Sequence, residues 1–377
     1  MSSSTIVVVG AGVIGLTTAI RLIEAGYHVV IIAKDLPGDA LTPMYASTAA
    51  GAHHLSFAAD DDVLQRKVDK RTFDVMWGQI HNPAPGEEAE GAALRKLTQV
   101  EFYAEPGEKH IQFFEQLPDF RVLDPTSNAN WKVSFTSLTM DTTPYLQALV
   151  ARFEALGGEL VRKSVSSLKE AVEFVSSFIP HLDAVEAVVN CTGLGSIYLE
   201  DVKDTTMYPV RGHVVVLDAP WINEGRTRQV GSLAAAESAG SRGGEGGSRT
   251  YIIPRKSGQV IIGGTREVND WSEIPDPATA LDIKIRALDL FPELSPKYEA
   301  ANPVPPKPED LDSIVLADVV GFRPARRDGL RLSQGEDMAL HDARSVKVFH
   351  NYGHSGAGWQ ASWGCAEEVV ALVVRKR

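Results

Sequence analysis

Apolar residues fall in two rhythms along this chain. Thr5-Ile6-Val7-Val8-Val9 and Val29 to Ala33 are short unbroken runs, the pattern of strands buried on both faces of a parallel sheet. Between them, Leu16 to Ala25 repeats its apolar positions at helical spacing and stops at Gly26. Leu64 to Gln79 reads as a polar and aromatic helix closed by Pro83-Ala84-Pro85-Gly86. Residues 98–104 and 131–137 alternate as half-buried strands do. Asp141-Thr142-Thr143-Pro144 resembles a helix start, and Tyr145, Leu146, Leu149, Val150 and Phe153 share one face before Gly157-Gly158 ends it. Glu159-Leu160-Val161 returns to strand, with Val165 just past its polar end. Val185 to Thr192 is another buried strand, running into Gly193-Leu194-Gly195-Ser196.

Other stretches break these rhythms. Residues 36–60 are loop-rich, and Ser47, Gly51 and Ala52 belong to a run of small residues ending in His53-His54. Residues 224–250, rich in Gly and Ser and carrying Arg226, Arg228, Arg242 and Arg249, read as a long flexible loop or lid. Tyr251 to Pro254 and Gln259 to Arg266 read as antiparallel strands around Lys256-Ser257-Gly258, with a helix near 276–290. A strand-like Ser313-to-Val320 run and a strand over 346–350 follow. Tyr352-Gly353-His354-Ser355-Gly356-Ala357-Gly358 then opens a helix from about Trp359 to Val374. Strands alternating with helices predict an α/β fold. At 377 residues the chain exceeds the ~250–300 at which one core stops growing, so two domains are expected.

The first chemistry lies in the turn Gly10-Ala11-Gly12-Val13-Ile14-Gly15 between the first strand and helix. Gly10 allows a tight turn, Gly12 lets backbone approach a pyrophosphate, and Gly15 lets helix and strand pack closely. The helix N-terminus favours the phosphates, and Asp35 after the second strand can bind a ribose hydroxyl. This context predicts a dinucleotide and leaves NAD and FAD open.

Charge and cysteines narrow the classes. With 37 basic and 49 acidic residues the net charge is −12, which argues against nucleic acid and requires local arginines for any anionic substrate. Two cysteines, Cys191 and Cys365, build neither a disulfide framework nor a zinc site, and the default compartment is reducing. Adjacent histidines project differently, so no metal is expected. No apolar run approaches the ~18 residues of a membrane span, so no membrane partner is expected.

Taken together, the motifs resemble one family, the FAD-dependent D-amino-acid oxidases, which include the D-aspartate oxidases. The blocks run from Val9–Leu16 through Ala49-Ala50-Gly51, Val189–Gly193, Pro209-Val210-Arg211-Gly212 and Tyr251–Pro254. Gly263-Gly264-Thr265, Gly321-Phe322-Arg323-Pro324 and His350–His354 complete the order. The resemblance implies a Rossmann-type FAD-binding domain over 1–55, 140–200 and 308–377. It is interleaved with an α+β substrate domain over 56–139 and 201–307, with the lid at 224–250. It implies non-covalent FAD, held by Gly10, Ala11, Gly12, Val13, Ile14, Gly15, Lys34 and Asp35. Ser47, Gly51, Ala52, Val165, Thr192 and Gly193 would join them, as would Ser355, Gly356, Ala357, Gly358, Trp359 and Gln360. Lys34-Asp35 reverses the family's common acid-then-base order.

The implied chemistry is hydride transfer from Cα to flavin N5, with O2 as acceptor, so no strong general base is needed. By the same resemblance, Arg323 and Tyr251 bind the α-carboxylate. Arg266, after Gly-Gly-Thr, matches the D-aspartate oxidases, where it would meet the β-carboxylate; its alternative is an outward arginine paired with Glu267 or Asp270. His54, Ser355 and a lid arginine, Arg242 or else Arg249, are further substrate candidates. D-Aspartate is the implied substrate, with D-glutamate or N-methyl-D-aspartate as possible others. A broad or neutral D-amino-acid oxidase and a non-catalytic flavin protein remain alternatives. A homo-oligomer is implied, and a peroxisomal location although the ending Arg375-Lys376-Arg377 is not of Ser-Lys-Leu type; otherwise the location is cytoplasmic.

Overall fold

The computed structural model describes residues 4–56, 58–104, 112–126, 129–178, 184–231, 248–301, 304–341 and 344–375. Among these, two sheets organise the chain. The first runs in the order Arg331–Gln334, Ser345–Tyr352, Val185–Asn190, Thr5–Val9, His28–Ala33 and Glu159–Arg162. The four pairings from Ser345–Tyr352 to Glu159–Arg162 are parallel. The unbroken apolar run at the start has the predicted cause, burial on both faces. Ile6 and Val8 pack with Leu16, Ile20, Tyr145, Leu149 and Trp363 on one side. Val7 and Val9 pack with Leu168, Val172 and Val175 on the other.

The helices Val13–Glu24, Thr142–Ala155 and Gly358–Val374 therefore cover one face, and Leu168–Phe178 the other. Asp141 does precede its helix, but its carboxylate takes Ser257 Oγ at 2.6 Å and Ser257 N–H at 3.0 Å instead of capping the first turn.

The second sheet is built on Met207–Asp218, which pairs with Gln259–Gly263 on one edge and Val315–Arg326 on the other. Outward from Gln259–Gly263 come Ser248–Pro254, Glu224–Val230, Leu94–Tyr103 and Trp131–Met140. Here the strand period of two sorts the side chains. Val215, Ile252 and Ile262 pack under the Pro277–Leu290 helix through Ile283 and Ala287. Val214, Tyr251, Ile253 and Ile261 face the other way.

Two expectations change here. The stretch expected as one loop over 224–250 begins and ends as strand, Glu224–Val230 and Ser248–Pro254. Arg226 and Arg228 are not lid residues. Arg226 pairs with Glu224 and lies 3.6 Å from the Phe291 ring centroid, while Arg228 pairs with Asp289. Their charges had hidden the alternation. Second, Val315–Arg326 pairs along its length with Met207–Asp218, so the expected 308–377 block is split between the two sheets.

Candidate active site

A cavity of about 1180 Å³ runs between the sheets. Drug-sized ligands suit ~300–1,000 Å³, so there is room for something larger. One end is walled by Gly10 to Ile14, Lys34, Asp35 and Val165; the other by Tyr251, Arg266, Arg323 and Arg286.

The first end is shaped by what glycines leave out. A Cβ on Gly15 would sit 1.9 Å from Gly10 O, and one on Gly10, at φ +111°, 2.6 Å from Cys191 O. Gly15 is thus behind the wall, packing the turn as the sequence suggests. Gly12 opens the helix at the wall, where a Cβ would come 2.8 Å from Ser47 Oγ. Ser47 ties three elements together: its Oγ accepts from Val13 N–H at 3.0 Å, and its carbonyl accepts from Trp359 Nε1 at 3.1 Å. This narrow, side-chain-free cradle at a helix N-terminus fits a pyrophosphate. Thr192 and Gly193 border it, Thr192 Oγ1 donating to Asn190 Oδ1 at 2.8 Å.

Small residues also carry the middle of the cavity. A Cβ on Gly51 would lie 2.9 Å from Ile253 Cδ1, and one on Gly321 2.7 Å from Ala49 Cβ. Buried Arg255, whose role the sequence did not suggest, fastens this loop by donating from Nη2 to Ala50 O at 2.7 Å and Gly51 O at 3.2 Å. Ala52, Ser355, Gly356, Gly358, Trp359 and Gln360 line the wall, and Ala357 does not.

The far end holds the charges. Gly212 gives Arg323 its place, since a Cβ there would lie 2.6 Å from Nη1. Arg323 Nη1 donates to Thr265 O at 3.1 Å, which anchors it beside the residue preceding Arg266. Gly263 and Gly264 do the same for Tyr251: added Cβ atoms would come within 2.6 and 2.3 Å of its ring and hydroxyl. Arg266 lines the cavity, and Glu267 is ion-paired with Arg211.

Two arginines join them. Arg249 shares the strand face of Tyr251 and Ile253 and lines the cavity, paired at 3.0 Å with buried Glu101. The period of two would have found it had 248–254 been read as one strand. Arg286 reaches the wall from the Pro277–Leu290 helix, donating to Asp282 and Thr250 at 2.8 Å. No sequence signal pointed to it. Arg242 lies outside the described residues.

The histidine expected to face substrate does not. His54 is fully buried away from the cavity, its Nε2 2.9 Å from Asp69 O and its ring edge-on to Phe73. Its neighbour His53 lines the cavity instead. Ser137 Oγ donates to His54 O at 2.6 Å, so it accepts from His53 Nε2–H at 3.2 Å, which fixes the tautomer. Burial, then Arg249, push His53 down to about 3, so it is neutral at physiological pH.

Similarity to known proteins agrees with this geometry. The family model described as FAD dependent oxidoreductase (DAO) matches residues 5–372. The chain is 42% identical to a D-aspartate oxidase of Cryptococcus neoformans var. grubii, covering 98% of this chain and 97% of that one. It is 33% identical to a D-amino-acid oxidase of Fusarium vanettenii, again over 98% and 97%. Glycine oxidase from Geobacillus kaustophilus aligns with a TM-score of 0.69 at 18% identity, over 100% of this chain and 96% of that one, a likeness of fold alone.

Proposed function

The chain belongs to the DAO family of FAD-dependent oxidoreductases, and from that premise we propose that it deaminates acidic D-amino acids oxidatively. The reaction is D-aspartate + O2 + H2O → oxaloacetate + NH3 + H2O2. One observation carries the choice of substrate: Arg323 and Arg266 line the same cavity end, joined through the Thr265 carbonyl.

Each arginine has a carboxylate to hold. Arg323, seated against Gly212, would grip the α-carboxylate through two parallel charge-assisted bonds. The Tyr251 hydroxyl adds a donor to the same group. Arg266 is the partner for the side-chain carboxylate. An alanine side chain would offer the Arg266 guanidinium no acceptor, whereas a side-chain carboxylate would add charge-assisted hydrogen bonds, and that difference favours acidic substrates. The cradle from Gly10 to Ile14 would hold FAD by its phosphates, with Asp35 available to the ribose. When bound, FAD supplies two-electron oxidation of the Cα–N bond, with the electrons passing to O2. The protein's own contribution is to fix the carboxylates so that Cα has one position.

Anaerobic mixing tests the substrate directly. D-Aspartate should bleach the yellow holoenzyme rapidly while D-alanine at equal concentration does not; bleaching by D-alanine alone contradicts the proposal.

A further inference from the structure

The Val63–His81 and Gly358–Val374 helices touch backbone to backbone. A Cβ on Gly364 would lie 2.3 Å from Val68 O, and Gly364 N–H donates to Thr72 Oγ1 at 2.9 Å. This crossing brings fully buried Asp69 under the first turn of the last helix, where Gln360 lines the cavity. Three neutral donors meet the carboxylate. Ser56 Oγ at 2.7 Å and Gln360 Nε2 at 3.1 Å reach Oδ2, and Gln65 Nε2 at 2.6 Å reaches Oδ1. Among the described residues no cation pairs with it; Lys67 and Arg71 on the same helix are bound to Glu368 and Glu367.

A buried carboxylate without a counter-ion is costly and calls for a reason beyond packing. An ionised carboxylate only accepts hydrogen bonds. It therefore dictates which way the Gln360 amide points, with nitrogen towards Asp69 and oxygen left for the cavity. We propose that Asp69 is a positioning residue that orients the Gln360 amide so that an acceptor faces bound FAD. This rests on the FAD reading of the cavity and not on the choice of amino acid.

Protonation reverses the arrangement. Burial raises the Asp69 carboxyl to about 7 against its three hydrogen bonds, with Asp62 adding to the rise. The other titratable groups facing this cluster are His54, pushed down to about 4 by burial, and Cys365, pushed well up by burial and by Asp69. Both are neutral at pH 7. Asp74, which acts on His54, is tied to Lys70 on the same helix. A proton on Oδ2, the oxygen that Gln360 donates to, would make Asp69 a donor to the Gln360 amide oxygen, and the amide would turn over. A donor would then face the cavity in place of the acceptor that bound FAD would meet.

The test is FAD affinity of the apoprotein, read by flavin fluorescence between about pH 6 and about pH 8. Wild type should bind roughly threefold or more weakly at the acid end, with the step centred near neutrality. Asp69→Asn removes the titrating group, so its FAD affinity should be the same at both ends of the range. Gln360→Leu should abolish the step with Asp69 intact, which decides the matter if Asp69→Asn does not fold. A step that survives in either variant, or no step in wild type, overturns the proposal. A wild-type chain that takes up no FAD at any pH overturns the family reading and this inference with it, whereas failure on D-aspartate leaves this one standing.

Discussion

The two ends of the cavity are made of different material. At the Gly10–Gly15 end the wall is backbone, and its specificity lies in atoms that are missing: a Cβ on Gly15 would overlap Gly10 O at 1.9 Å. At the far end the wall is side chain, with Arg323, Arg249 and Tyr251 from strands, Arg266 from a loop and Arg286 from a helix. A backbone wall tolerates no addition and carries little information about which ligand arrives. A side-chain wall tolerates exchange and can therefore select among ligands. Breaking each end should therefore look different.

The largest effect is expected from adding a methyl group to the backbone end. Gly15→Ala should cost about 3 kcal/mol or more of stability through overpacking, and purified protein should carry no FAD. A yellow, fully stable variant would show that the turn is looser than its geometry. Next comes Arg323→Leu at the other end. Fold and FAD content should survive, while kcat/KM falls by roughly a hundredfold or more for every D-amino acid, the cost of stranding a carboxylate. A smaller change is Tyr251→Phe, which removes one donor to a charged group. It should lower kcat/KM by roughly tenfold, about 1.5 kcal/mol, without changing the order of substrates. The smallest is Asp35→Asn, which should weaken FAD binding about fivefold, near 1 kcal/mol, and leave the preference among amino acids untouched.

The same contrast explains what was legible in the chain. Thr5–Val9 and His28–Ala33 announce themselves because burial on both faces leaves no polar residue to interrupt the run. The glycine turn is local, so six consecutive residues hold most of its argument. The far end is assembled from paired strands, a loop and a helix that meet only in the fold. Arg323 and Arg266 were found through resemblance, not through any pattern in their neighbours. Arg249 was half-seen as a loop residue because Ser and Gly around it masked a strand that alternates with Tyr251 and Ile253. His54 shows the limit of local reasoning: adjacent side chains diverge, and the bridge between His53 and Thr139 decides which of the two enters the cavity. Arg255 and Asp69 act from behind the wall on the Ala50–Gly51 carbonyls and on Gln360, and a single sequence carries no signal for a second layer.

The central claim is that Arg266 reads the side-chain carboxylate. Its most direct test is the ratio of kcat/KM for D-aspartate to that for D-alanine in Arg266→Leu against wild type. The account predicts that this ratio collapses by roughly two orders of magnitude or more, about 3 kcal/mol, with D-aspartate losing and D-alanine gaining. A ratio that does not move would place the specificity elsewhere in the cavity and contradict the account.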